Sequence, residues 1–105
     1  MIELGGNIVL AGFKEVDPAT MIIVKKIVGN HVRTLTSHLQ DKFQRVKVTL
    51  KGVHKTEGSQ KYELHSHLEC GKDCHAEHTD RNLLVGIDKV FKKVQAEVEK
   101  QHGHK

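Results

Sequence analysis

The spacing of hydrophobic positions changes along the chain, and each change marks an element. Residues 7–12, Asn-Ile-Val-Leu-Ala-Gly, are a short apolar run that reads as a first strand. Asp17-Pro18-Ala19 then reads as a helix start, because Asp accepts hydrogen bonds at an N-cap and Pro is pre-set for the first helical position. From there Met21, Val24, Val28, Val32, Leu35 and Leu39 recur at steps of three and four. That is one apolar face of a helix of about six turns. Lys25, Lys26 and Arg33 fall elsewhere on its circumference.

The period then drops to two. Val46, Val48 and Leu50 alternate with Arg45, Lys47, Thr49 and Lys51, as in a half-buried strand. Residues 53–59, with Gly58, read as a hairpin loop. Tyr62, Leu64, Ser66, Leu68 and Cys70 next alternate with Lys61, Glu63, His65, His67 and Glu69. A Gly71-Lys72 turn leads to a short strand near 74–77. Asp80 reads as a second N-cap, before Leu83, Leu84, Ile87, Val90, Phe91, Val94 and Val98 at helical spacing. Tyr62 and Phe43 belong to the core on this reading.

The order βαβββα predicts an α+β two-layer sandwich, a four-stranded sheet with both helices on one face. The helices cover the Val46, Val48, Leu50, Leu64 and Leu68 side, and the other side faces solvent. Gly29 and Gly86 interrupt good helices, where each costs roughly 1 kcal/mol relative to Ala. Close approach of a neighbouring element is the expected compensation. The whole chain, 1–105, reads as one domain with residues 101–105 as a frayed end.

Composition narrows the function. Aromatic residues make up only 4% of 105 residues, so aliphatic side chains must build the core. No apolar run approaches the ~18–20 residues that span a bilayer, and the N-terminus lacks the pattern of a secretory or transit signal. A cytoplasmic protein without a membrane partner is expected. Two cysteines make no disulfide framework, in keeping with a reducing compartment.

Charge changes the picture most. The net charge is +4, and residues 42–72 carry all of it, with seven Lys or Arg against three Glu, while both flanks balance. A basic sheet segment between neutral helices points to a polyanion before a small-molecule substrate. Arg45, Lys47, Lys51 and Lys61 would project from one sheet face beside His65 and His67. Alternate strand residues lie about 6.5–7 Å apart, comparable to the phosphate spacing along a nucleic-acid strand. Arg81, Lys89, Lys92 and Lys93 form a second set on or near the last helix, and Lys25, Lys26 and Arg33 a third. The plainer alternative is a set of solvated faces with i,i+4 pairs such as Asp88–Lys92 and Lys93–Glu97. No aromatic residues interleave with the lysines, so binding by shape and charge fits better than base stacking.

Cys70, Cys74, His75 and His78 supply a rival chemistry, since thiolate and imidazole are preferred zinc ligands. Their C-x3-C-H-x2-H spacing is not that of a standard finger, and Cys74 and His75 in one strand point to opposite faces. A packed thiol pair is the favoured reading over a metal site or a redox-sensitive disulfide, and no cofactor is expected. His102 and His104 read as surface residues of the tail. An enzyme is not indicated: Asp88 and Glu77 lack an evident acid–base partner, and there is no Gly-rich phosphate loop or nucleophile elbow.

Two segments carry a family resemblance. Gly12-Phe13-Lys14-Glu15-Val16-Asp17-Pro18-Ala19 resembles the strand-to-helix junction of the ribosome hibernation-promoting factors, also called ribosome-associated inhibitors. Ala76-Glu77-His78-Thr79-Asp80-Arg81-Asn82-Leu83-Leu84-Val85-Gly86-Ile87-Asp88-Lys89-Val90 resembles that family's last strand, turn and helix start. Leu84 stands where the family usually has Tyr, and Val85-Gly86 replaces an Ala-rich pair. The chain looks like the short form, without the extra dimerising domain. The resemblance implies a fold similar to double-stranded-RNA-binding domains. It also implies a non-catalytic protein that binds the small ribosomal subunit and its rRNA, as a monomer, between head and body. There it would block the mRNA and tRNA sites and preserve idle ribosomes under stress. A free-standing double-stranded-RNA-binding module and a zinc- or redox-responsive protein built on residues 70–78 are the alternatives.

Overall fold

The computed structural model describes residues 2–5, 7–56 and 58–101, without the side chains of residues 53–56, 59 and 101. The elements are β1 (Ile2–Gly5), β2 (Ile8–Ala11), α1 (Pro18–Leu39), β3 (Arg45–Thr56), β4 (Ser59–Glu69), β5 (Asp73–Asp80) and α2 (Leu83–Gln101), with a 3-10 turn at Gln40–Lys42. Strand order follows chain order, β1-β2-β3-β4-β5. All neighbours are antiparallel except β2 and β3, which are parallel and joined by the α1 crossover.

α1 starts as its sequence predicts. Asp17 caps it: Thr20 N donates to Oδ2 at 3.2 Å and Thr20 Oγ1 to Oδ1 at 2.6 Å. The hydrogen bond from the Thr20 hydroxyl, the largest cause, holds the Asp17 carboxyl below its ordinary value. Met21, Val24, Val28, Val32, Leu35 and Leu39 are its buried residues. They meet Leu10, Val46, Val48, Leu64 and Leu68 from the sheet and Ile87, Val90, Phe91 and Val94 from α2 in a single core. Both helices therefore cover one sheet face, and an α+β sandwich is formed. Phe43 and Tyr62 are partly buried at the edge of that core.

Four expectations are corrected. The sheet has five strands, not four, because Ile2–Gly5 adds β1 to the far side of β2. The hairpin loop is far shorter than residues 53–59: β3 runs to Thr56 and pairs there with Ser59. β5 is longer than the segment near 74–77, spanning Asp73–Asp80. The cap of α2 is Asn82, whose Oδ1 accepts from Val85 N at 3.1 Å, while Asp80 Oδ1 accepts from Asn82 N at 3.0 Å. That backbone hydrogen bond, ahead of one from His78, holds the Asp80 carboxyl below its ordinary value.

Gly86 is a point of close approach, as expected: a Cβ there would lie 2.8 Å from Leu64 Cδ1 and 3.2 Å from Asp80 Cβ. Gly29 is not, since a Cβ added to it meets nothing within 4 Å. Residues 102–105, including His102 and His104, lie outside the described residues. No described helix is long and apolar enough to cross a membrane.

Candidate nucleic-acid interface

The face of the sheet turned away from the helices is set by strand register. Val46, Val48 and Leu50 on β3 and Leu64, Ser66 and Leu68 on β4 are buried on the core side. Their alternates point outward, and the pairing places Arg45 opposite Glu69, Lys47 opposite His67, Thr49 opposite His65, and His67 opposite His75. A shallow depression on this face is lined by Lys47, Thr49, His65, His67, His75 and Glu77, among others. Lys51 is exposed at a bulge where the register shifts between Leu50 and Gly52. Lys61 is exposed near the β3–β4 turn.

The same register also brings carboxylates onto the open face. Glu63, Glu69, Asp73 and Glu77 share it with the cations, and they pair locally. Arg45 Nε lies 3.7 Å from Glu69 Oε2. His65 Nε2 shares a 2.8 Å hydrogen bond with Glu63 Oε2 and lies 3.9 Å from Glu77 Oε1. His67 Nε2 lies 3.4 Å from Asp73 Oδ2. The face is thus a mixed field of imidazole, carboxylate and ammonium groups, not an unbroken basic strip.

The helix layer is different. Lys25, Lys26 and Arg33 are exposed on α1, which contains no Asp or Glu along its 22 residues. Lys89, Lys92 and Lys93 are exposed on α2, with Arg81 just before it. Asp88, the carboxylate among the α2 lysines, is already engaged. His31 Nε2 is 2.7 Å from its Oδ1, and Lys92 Nζ is 3.1 Å from its Oδ2. The hydrogen bond with His31 is the main reason its carboxyl is held below the ordinary value. His31 also stacks on Phe91, ring centroids 5.0 Å apart and planes 3° from parallel, so the pair ties α1 to α2. Lys93 Nζ donates to Glu77 O at 3.0 Å and ties α2 to β5. Positive charge therefore lies on both layers, least compensated along α1.

The cysteine-rich turn is not assembled as a metal centre. Cys70 and Cys74 are buried thiols within the core. Cys70 Sγ donates to Lys72 O at 3.3 Å, and burial, with Cys70 beside it, pushes the Cys74 thiol up to about 11. Held protonated in this way, the Cys74 thiol is a poor nucleophile. His75 is exposed on the opposite sheet face from Cys74, and His78 is paired with Asp80 at 3.0 Å. Sequence spacing put Glu63 and Glu69 on the open face with the β4 cations, but it identified neither Asp73 and Glu77 there nor the His67–His75 pairing. Both depend on how long the β4–β5 turn is, which fixes which residues oppose.

The fold agrees with comparisons to known proteins. The chain has a fold similar to a ribosomal subunit interface protein from Coxiella burnetii, with a TM-score of 0.60 and 14% identity, covering 90% of this chain and 96% of that one. It is also similar to the N-terminal domain of Protein Y from Thermus thermophilus, with a TM-score of 0.55 and 17% identity, covering 90% and 94%. At these identities the likeness is one of fold. Among curated proteins, none matches the sequence. A family model described as Sigma 54 modulation protein / S30EA ribosomal protein matches residues 23–105, which include the whole Ala76-to-Val90 segment singled out above. The chain therefore belongs to the Sigma 54 modulation protein / S30EA ribosomal protein family, whose members are ribosome-associated proteins and not enzymes.

Proposed function

We infer that the protein is a ribosome hibernation factor that occupies the mRNA and tRNA channel of the small subunit. There, as a monomer in the cytoplasm, it blocks translation by steric occlusion and preserves idle ribosomes under stress. The observation that carries this reading is α1, a helix with three exposed cations and no carboxylate, set in a member of a ribosome-associated family. A body inserted between RNA walls meets phosphate on several sides, which suits cations on both layers. Arg33, Arg45 and Arg81 suit bidentate phosphate contacts, and Lys25, Lys26, Lys47, Lys51, Lys61, Lys89, Lys92 and Lys93 act as point charges. His65 and His67 lie among the sheet cations and complete the proposed contact set.

Co-sedimentation of the purified protein with ribosomes and separated subunits, at low and moderate salt, tests this. The expected result is saturable, near one-to-one binding to the small subunit that weakens as salt rises. Lys25→Glu combined with Lys26→Glu should reduce that binding without unfolding the domain. With each phosphate contact contributing roughly 0.7–0.9 to the log–log salt slope, the double variant should flatten the slope by about one to two. Protein that stays at the top of the gradient at both salts would refute the reading.

A further inference from the structure

We propose that His67, Asp73 and His75 form a binding site for a divalent transition-metal ion, with zinc the ion that best fits the donors. Three features place it here. The first is register: His67 on β4 is directly opposite His75 on β5, and Asp73 is two residues from His75 on the same strand. Directly opposed side chains in an antiparallel pair have Cβ atoms about 4.5–5.5 Å apart, and diagonal ones remain within reach of long side chains. Asp73, His75 and their neighbours Glu77 and Thr79 are all on the open side of β5, so the three donors share one face.

The second is distance. The rings of His67 and His75 stack with centroids 4.3 Å apart and planes 12° from parallel. One ligating atom from each of His67, Asp73 and His75 lies within 4.8 Å of the others. Around a tetrahedral zinc with bonds of about 2.0–2.1 Å, donor atoms are separated by roughly 3.3–3.5 Å. Stacked rings hold their nitrogen lone pairs nearly parallel, so coordination requires the exposed His75 ring to turn about its side-chain torsions until the lone pairs converge on one ion.

The third is an unmet polar atom. His67 Nε2 is buried and makes no hydrogen bond, although the Asp73 carboxylate is only 3.4 Å away. A buried ring nitrogen that faces a carboxylate but makes no hydrogen bond is incompletely satisfied, and coordination would satisfy it. The neighbouring cluster of Glu63, His65 and Glu77 differs on this point, because His65 already shares a 2.8 Å hydrogen bond with Glu63. Two imidazoles and one carboxylate are also a donor set that favours zinc or its late first-row neighbours over magnesium or calcium, which take oxygen ligands. Three protein donors leave a fourth position to water.

This site is distinct from the Cys70 and Cys74 turn, whose thiols face the core, and it does not depend on ribosome binding. The test uses the full chain carrying His102→Gln and His104→Gln, so that tail histidines contribute nothing. Zinc is titrated against a chromophoric chelator, and cobalt is used to record the ligand-field spectrum. The expected result is one ion per chain, with His75→Gln weakening binding by roughly tenfold or more, and Asp73→Asn weakening it too. His75 and Asp73 are exposed, so both variants should keep the native circular dichroism. As a readout that needs no variant at this site, the imidazole signals of His67 and His75 should shift or broaden first in a zinc titration followed by NMR. Undiminished zinc affinity in both variants, or first shifts confined to other histidines, would overturn the proposal.

Discussion

At Gly12 the backbone takes φ of +81°, and a Cβ would strike the carbonyl oxygen of Leu50 on the neighbouring strand β3. Both the left-handed conformation and the close approach require glycine, so Gly12→Ala should cost about 2–4 kcal/mol in urea unfolding. Gly29 gives the opposite expectation. It is helical, has open space where a Cβ would go, and pays the backbone-entropy cost of glycine for no packing return. Gly29→Ala should therefore raise stability by about 0.5–1 kcal/mol in the same assay. The sequence does not distinguish Gly29 from Gly86, because both interrupt an apolar helical period. Only the position of Leu64 and Asp80 beside Gly86 separates them.

Between elements, the tie of α1 to α2 runs through His31, Asp88 and Phe91. The Asp88 carboxyl has a lowered pKa in the folded chain, chiefly because of its hydrogen bond with His31. A carboxyl whose folded pKa lies below its unfolded value stabilises the fold fully above that unfolded value. The contribution is lost as pH falls through the folded value. Asp88→Ala should thus cost about 1 kcal/mol or less at pH 7, since solvent screens this partly exposed group. The gap from the unmodified protein should close as pH drops below the ordinary value of 3.8, which thermal unfolding across pH 2.5–7 would show. Elements with strong local signals were legible: Asp17-Pro18 and the run from Met21 to Leu39 mark α1 from its cap to its last buried residue. β1 was not, because four residues bounded by Gly5 carry too short an alternation to stand apart from a turn. The cap of α2 was misplaced by two residues because Asp80 and Asn82 both suit an N-cap, and only the geometry shows Asp80 supporting Asn82.

For the whole molecule, charge along the chain and charge in space differ. Residues 42–72 hold the net charge, yet folding sets Glu63 and Glu69 of that stretch, with Asp73 and Glu77, among its cations. α1 lies in a stretch that balances overall, but its compensating acids are all outside the helix. The sheet site was therefore only half legible, and its contribution to ribosome binding should be smaller than a count of lysines implies. Lys47→Glu combined with Lys51→Glu should still weaken co-sedimentation and flatten its salt dependence, by less than Lys25→Glu with Lys26→Glu. Equal binding by the Lys47, Lys51 variant and the unmodified protein would remove the sheet face from the interface. The sheet's one parallel pair bears on how the molecule assembles. β3, β4 and β5 find each other across short turns, whereas Ile8 must find Val46 across the whole of α1. Closing that long loop costs chain entropy before any contact returns it. Loop closure accordingly favours early formation of the β-meander, with the N-terminal strands expected to dock afterwards onto a sheet whose C-terminal half is already in register.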